Sequence, residues 1–361
     1  MERGVALIDC GGRRDEDQGA TGERARAREF LLRFGRNAAT YQVINPVIQK
    51  WFAPDQSAMI GFVRHAKTRI VAGGPISESR DRRWVAEAFQ GLEPSDVCYF
   101  GVEEQFADEW VDGAATRVCI GAQPCWRPAD WERTVMASAS LRAQFNRARN
   151  KGVRVEEWTT DRAETSEELK QVLQGWLETR GLPPLHFLVE PETLDFLRDR
   201  RTFVALRGGQ VVAFLNLCPV PVRNGWMTEQ FPRLPSAPNG TVELLMHEAV
   251  LTLGREGAEF VTMGMVPLTR RVESGQGPIW FRFFAKWARA HFVRFYNFAG
   301  LESFKTKFHP HWWEPLLLIV PDRRLRFRHA WAVAAAFADG PVLRAVVRSL
   351  GRAVVLTFRR R

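Results

Sequence analysis

The stretch GWMTEQFPRLPSAPNGTVELLMHEAVLTLGREGAEFVTMGMV, residues 225–266, decides the fold. GWMTEQ is short and stops at a loop of prolines and small residues, FPRLPSAPNG, so it reads as a strand. Beyond the loop, Val242, Leu245, Met246, Ala249 and Leu253 recur at helical spacing, and Thr241 stands where an N-cap hydroxyl is expected. EFVTMGMV then reads as another strand. Upstream, RTFVALR and QVVAFLNL flank Gly208-Gly209, a hairpin signal because both glycines accept positive φ. Further upstream EELKQVLQGWLETRG is helical, and downstream come a helix in IWFRFFAKWARAHF and strands in VRFYNF and PLLLIV.

The first half repeats this order. AMIGFVR and TRIVAGG pair as a hairpin, SRDRRWVAEAFQGL is helical, and VCYFGVE and ATRVCIGA follow. SASLRAQFNRARNKG puts Leu141, Phe145 and Ala148 on one face and ends at Gly152, a good helix terminator, before the strand VRVEEW. The charged stretch TTDRAETSEE is the best boundary. We therefore expect an α/β chain with mixed sheets in four parts: a mostly disordered segment 1–36 with a short helix around Glu23–Phe34, two similar units at 37–160 and 161–321, and a tail at 322–361. Periodicity leaves the strand order open.

Composition agrees with two packed units: 361 residues, 45% hydrophobic and 25% charged, exclude a disordered chain. Cys10, Cys98, Cys119, Cys125 and Cys218 are odd in number, scattered and without a C-x-x-C pair, which disfavours disulfides and zinc and points to a reducing cytoplasm. The N-terminus has no signal-like apolar region, and no run of about 18 apolar residues occurs, so no membrane span is expected. His309 and His311 have no third ligand at a recognisable spacing, so no metal is expected. Without G-x-S-x-G, or a cysteine with a histidine partner, direct transfer is favoured over a covalent intermediate.

The net charge of +10 is concentrated at the end. Residues 322–361 carry ten arginines against Asp322 and Asp339. Arg344, Arg348 and Arg352 share one helical face, with Val342, Val346, Val347, Leu350, Val354 and Leu356 as apolar surface, so a basic amphipathic helix is expected. Before it, RRLRFRHAW mixes arginine with Phe327 and Trp331. An anionic membrane surface, packing on the body and RNA contact all fit such a tail, and the lipid surface fits best.

The order β-β-β-α-β-α-β-β in the second half resembles the GNAT acyltransferase fold. The stretches GWMTEQFPRLPSAPNGTVELLMHEAV, FVTMGMVPL and FYNFAGLESFKTKFHPHWWEP, with INPVIQKWF, IVAGGPI and SLRAQFNRARNKGV earlier, resemble the catalytic domain of bacterial phosphatidylglycerol lysyl- and alanyl-transferases from about Tyr41 to Pro321. That resemblance implies a tandem GNAT fold that moves an amino acid from aminoacyl-tRNA to a lipid hydroxyl. Aminoacyl-tRNA would be the co-substrate, with no other cofactor, and the protein would work at the inner face of the cell membrane. The family's membrane-embedded flippase domain has no counterpart in these residues.

The resemblance also singles out residues. Glu243 takes the place of the acidic residue after PNGT that the family needs, and Glu229 that of an aspartate opening an acid-x-x-Arg pattern, here with Arg233 displaced by one position. Lys305 and Lys307 match the lysines of F-K-x-K-F. By chemistry alone, a first-turn carboxylate such as Glu243 also fits a structural role at the helix dipole, and Glu229 fits plain surface solvation. Paired carboxylates suit the ammonium of an amino acid or a proton from a hydroxyl, and an ammonium near the ester suits an oxyanion or a phosphate. Phe304 and Phe308 point inward together, which by itself leaves both lysines reading as exposed; the motif match makes Lys305 the site residue and leaves Lys307 a surface neighbour. His247, one turn beyond Glu243, reads either as its orienting partner or as a core histidine, and Asn239 sits in the adjoining loop as a substrate-binding candidate. Arg142 and Arg149 are candidate phosphate contacts on their helix, as are Arg344 and Arg348 in the tail, with an exposed helix face as the plain alternative.

Two other functions stay open. An acyl-CoA-dependent GNAT N-acyltransferase would need a pyrophosphate loop of the form R/Q-x-x-G-x-G/A. The closest match, Arg149 to Arg154, lacks the final small residue and lies at a helix C-terminus, the wrong end for an anion. A non-catalytic lipid- or RNA-binding protein would follow if the displaced Arg233 marks a broken site.

Overall fold

The computed structural model describes residues 11–179, 187–189, 193–272, 278–281, 298–321 and 324–338. The tail helix expected over 342–356, with Arg344 and Arg348, lies outside the described residues, as does most of the helix–strand segment expected over 279–298. The helix expected around Glu23–Phe34 extends back to Gly11 (α1, Gly11–Phe34).

The described strands form one mixed sheet. They are β1 (Gln49–Phe52), β2 (Met59–His65), β3 (Thr68–Ala72), β4 (Asp96–Glu103), β5 (Thr116–Trp126), β6 (Val153–Trp158), β7 (Arg201–Arg207), β8 (Gln210–Val220), β9 (Gly225–Thr228), β10 (Phe260–Thr262), β11 (Val266–Pro267) and β12 (Trp312–Val320). Their order is β1-β2-β3-β4-β12-β5-β10-β9-β8-β7-β6, with β11 beside β5. Both expected hairpins form: β2 pairs with β3, and β7 with β8 across Gly208 and Gly209 at φ 59° and 84°. The sheet runs without a break across residue 160. β6 pairs with β7, and β12, the apolar PLLLIV segment near the end of the second half, lies between β4 and β5 of the first.

Both faces of the sheet are covered, which explains strands buried throughout, such as β3. On one face pack α2 (Arg82–Gly91), α3 (Glu104–Asp108), α4 (Pro128–Met136), α5 (Ala139–Asn150) and α8 (Thr241–Arg255). On the other lie α1, the 3-10 turn Thr40–Ile44, α6 (Thr160–Glu164), α7 (Glu167–Glu178) and α10 (Phe327–Ala338). The inward set read from the sequence, Val242, Leu245, Met246, Ala249 and Leu253, is buried on α8.

The start of α8 differs from expectation. Gly240 is its N-cap, at φ 93°, and Thr241 is the first helical residue, its hydroxyl donating to Pro238 O at 2.7 Å. Glycine is required because a Cβ there would stand 2.1 Å from Gln144 O on α5. The clash is with backbone, and the left-handed conformation adds its own cost. Gly240→Ala is expected to destabilise the fold by about 2–4 kcal/mol, read as a lowered thermal midpoint.

Candidate active site

The site forms where β9 and β10 part. These strands run parallel, joined through α8, and pair only from Phe260↔Gly225 to Thr262↔Met227. Beyond that point the first chain stays with β8, Glu229 N–H donating to Asn216 O at 2.9 Å, while the second swings to β5 through Val266↔Ala122. Parallel strands that diverge at their carboxyl ends open a crevice suited to ligands. Glu229 stands at one side and Met263–Met265 at the other. The first turn of α8 and the helix α9 (Phe298–Thr306) complete the surroundings.

Lys305, in the last turn of α9, is buried and reaches the Met263–Met265 side of this opening. Its Nζ donates to three main-chain oxygens, Met263 O at 2.6 Å, Gly264 O at 2.9 Å and Met265 O at 3.1 Å. Gly264, at φ 67°, lets the chain turn its carbonyls together. Burial drags the Lys305 pKa down to about 7. Its hydrogen-bond partners are neutral main-chain oxygens, so no counter-ion offsets the charge of its protonated form, and an anion forming beside it would favour that form.

Glu243 lies in the first turn of α8, and its partner is Lys307. Lys307 also lies over the rings of Phe304 at 4.2 Å and Phe308 at 5.4 Å, and its side chain is 33% exposed. The lysine read as a surface neighbour is thus the one that meets the candidate carboxylate. Two aromatic faces flank its ammonium.

Glu229 is saturated rather than open. Arg200 binds it with Nε at 3.1 Å from both carboxylate oxygens and Nη2 at 2.9 Å from Oε1, and Gln42 Nε2 donates to Oε1 at 2.9 Å. Arg200 also donates to Asp195 O and Phe196 O. Burial pulls the Arg200 pKa down, but Glu229 outweighs it, so the guanidinium stays charged. Arg233 is not in this pair: its segment runs along β8, Phe214 N donating to Pro232 O and Leu234 N to Val212 O, and its side chain faces solvent. Arg200 carries no motif, standing in the run Arg198-Asp199-Arg200-Arg201, and no local signal sets it apart.

The remaining candidates lie apart from the opening or on its rim. His247 is buried in the core, accepts from Trp131 Nε1 at 3.3 Å and stacks on Phe145 at 4.3 Å; burial lowers its pKa. Asn239 is exposed before α8. Arg142 donates to Met136 O near the end of α4, and Arg149 binds Glu248 at 2.8 Å, tying α5 to α8. Among the described residues no cluster of His, Cys, Asp or Glu could hold a metal ion.

Behind the opening runs a second polar group absent from the sequence reading. Gly264 N donates to Thr262 Oγ1, and Thr262 Oγ1 reaches Gln123 Oε1 at 3.5 Å. Gln123 Nε2 donates to Glu314 at 2.8 Å and Glu103 at 3.2 Å, and Arg223 grips Glu314 at 2.6 and 2.8 Å while lying 3.5 Å from the centre of the Phe260 ring. Burial pushes the Glu103 pKa up to about 7 against the pull of Arg223, with Glu314 adding to the rise. Raised above its unfolded value, Glu103 contributes stability that is complete below about pH 4.5 and lost as pH rises through about 7. Glu103→Gln keeps an oxygen for Ala38 N and Gln123 and is expected to flatten the fall in thermal midpoint across that window.

The fold is a mixed α/β arrangement with a divergent parallel pair, β9 and β10, near the middle of its sheet. Residues 28–320 match the family described as phosphatidylglycerol lysyltransferase, C-terminal, and the chain belongs to that family. A phosphatidylglycerol lysyltransferase of Bacillus subtilis is 25% identical over 304 residues, 81% of this chain and 35% of that protein. A lysylphosphatidylglycerol biosynthesis bifunctional protein LysX of Mycolicibacterium gilvum is 25% identical over 346 residues, 90% of this chain and 30% of the relative. This chain therefore spans about a third of the length of these relatives. In fold it is similar to a DUF2156 C-terminal domain from Agrobacterium fabrum, with TM-score 0.74, 21% identity and coverage of 89% of this chain and 98% of that one. The structure of L-PGS from Bacillus licheniformis gives 0.72, 20%, 86% and 95%. Among the described residues no helix is long and apolar enough to cross a membrane.

Proposed function

We propose that this chain transfers an amino acid from aminoacyl-tRNA to a hydroxyl of phosphatidylglycerol, with the charged tRNA as co-substrate and no separate cofactor, at the cytoplasmic face of the membrane. Membership of the phosphatidylglycerol lysyltransferase C-terminal family supports the substrate class. The observation that carries the mechanism is Lys305: a buried ammonium, held by carbonyls alone, where β9 and β10 part.

The lipid hydroxyl oxygen attacks the ester carbonyl carbon, and the carbonyl oxygen gains negative charge. Lys305 exchanges one of its three carbonyl partners for that oxygen, gaining a charged acceptor at little reorganisation cost. The carbon–oxygen bond to the ribose then breaks, the proton from the lipid hydroxyl ends on the departing ribose oxygen, and the new ester leaves on the lipid. Glu243 suits the α-ammonium of the amino acid, because Lys307 is a single displaceable partner, whereas Glu229 is already filled by Arg200 and Gln42. Glu229 and Arg200 set the wall of the crevice instead.

The test is incubation with radiolabelled aminoacyl-tRNAs and vesicles containing phosphatidylglycerol. Label entering lipid, and failing to do so after ribonuclease, is the expected result. Label delivered instead from acyl-CoA to an amine would replace this reading.

A further inference from the structure

Beyond the matched residues 28–320, α10 carries a surface with no part in the crevice. It lies on β2 and β3, with His329, Ala332 and Ala335 buried beneath it and Leu325 buried just before it. The His329 ring closes the helix start, Nδ1 accepting from Arg326 N at 3.0 Å, and Arg328 Nη2 donates to Asp96 Oδ1 at 2.6 Å. With its inner side fixed, α10 turns Phe327 and Trp331 outward at 62% and 43% exposure, one turn apart with ring centres 6.4 Å from each other. Arg324, Arg326 and Arg328 are exposed in the same segment, Arg328 being held by Asp96.

We infer that the Phe327–Trp331 face of α10, in a segment that also exposes Arg324, Arg326 and Arg328, is a docking surface for an anionic bilayer. Phenylalanine and tryptophan enter the headgroup boundary as apolar wedges, and arginine forms charge-assisted pairs with lipid phosphate. Three exposed arginines against Asp96 leave this segment net positive, which favours an anionic surface over an apolar protein partner. Four strand spacings separate β3 from β10, about 20 Å in the sheet, so this surface is distinct from the crevice. It does not depend on turnover.

The test uses the full chain without tRNA, sedimented with phosphatidylcholine vesicles with or without phosphatidylglycerol. Binding is expected only to the anionic vesicles and to weaken with salt. Phe327→Ser with Trp331→Ser should lower it by roughly tenfold or more, while Phe327→Trp with Trp331→Phe keeps it. The replaced side chains are exposed, so the thermal midpoint should hold in both pairs. Equal binding by the serine variant, equal binding to neutral vesicles, or self-association of the wild type that the serine variant abolishes would each overturn the inference. Loss of transferase activity with vesicle binding intact would count against the proposed function alone.

Discussion

Lys305→Met is expected to lower turnover by about 100-fold or more, with the protein still folded. Methionine has nearly the length of lysine and fits an apolar cavity, so the substitution removes the charge with little loss of packing. Three carbonyls, of Met263, Gly264 and Met265, lose their common donor, yet a buried ammonium is removed as well, and its desolvation cost disappears with it. Stability is therefore expected to change far less than activity. Lys305→Arg should not rescue the loss, since a planar guanidinium cannot point donors at three converging carbonyls. Single-turnover kinetics with saturating charged tRNA are the measurement, because they report chemistry apart from binding. Near-wild-type rates in Lys305→Met would remove this residue from the reaction.

The second large effect concerns the wall opposite. Arg200→Ala leaves Glu229 as a buried carboxylate with Gln42 as its remaining donor among the bonds described, and a loss of about 3–5 kcal/mol is expected. Glu229→Ala strands the guanidinium in the same way. The double replacement Arg200→Met with Glu229→Met removes both charges together and should recover much of that stability. A cycle of the two single variants and the double one, measured by denaturant unfolding, should show strong favourable coupling. Additive losses would mean that the pair does not act as a unit. Activity should stay low in the double variant if the pair shapes the crevice.

Much of this arrangement was legible in the residues. Helix α8 announced itself through Val242, Leu245, Met246, Ala249 and Leu253, because a helix buried on one side repeats its apolar residues at a fixed spacing. Gly208-Gly209 marked its hairpin for an equally local reason. The place of β12 between β4 and β5 was not legible, since an apolar run such as PLLLIV fits any central position of a sheet.

The site divides along the same line. Lys305 and Glu243 could be named from their stretches, but their partners could not, for the ion pair Glu243–Lys307 and the carbonyl cage of Lys305 join residues about 40 to 64 positions apart. Arg200 and Arg223 were missed because a single arginine in an arginine-rich chain carries no local signal of burial. Arg233 was carried over from the family's acid-x-x-Arg pattern, which it misses by one position, and the pairing of its segment with β8 turns it outward. Thr241 had the chemistry of an N-cap, but the close approach of α5 demanded Gly240 there.

The most direct test is a crystal structure with a hydrolysis-resistant aminoacyl-adenosine, in which an amide replaces the ester. The amide carbonyl is expected between Glu229 and Met263–Met265, within hydrogen-bond distance of Lys305 Nζ, with the α-ammonium on Glu243. An analogue bound elsewhere on the chain, with Lys305 still on its three carbonyls and Glu243 still on Lys307, would contradict the assignment of this crevice as the site of transfer.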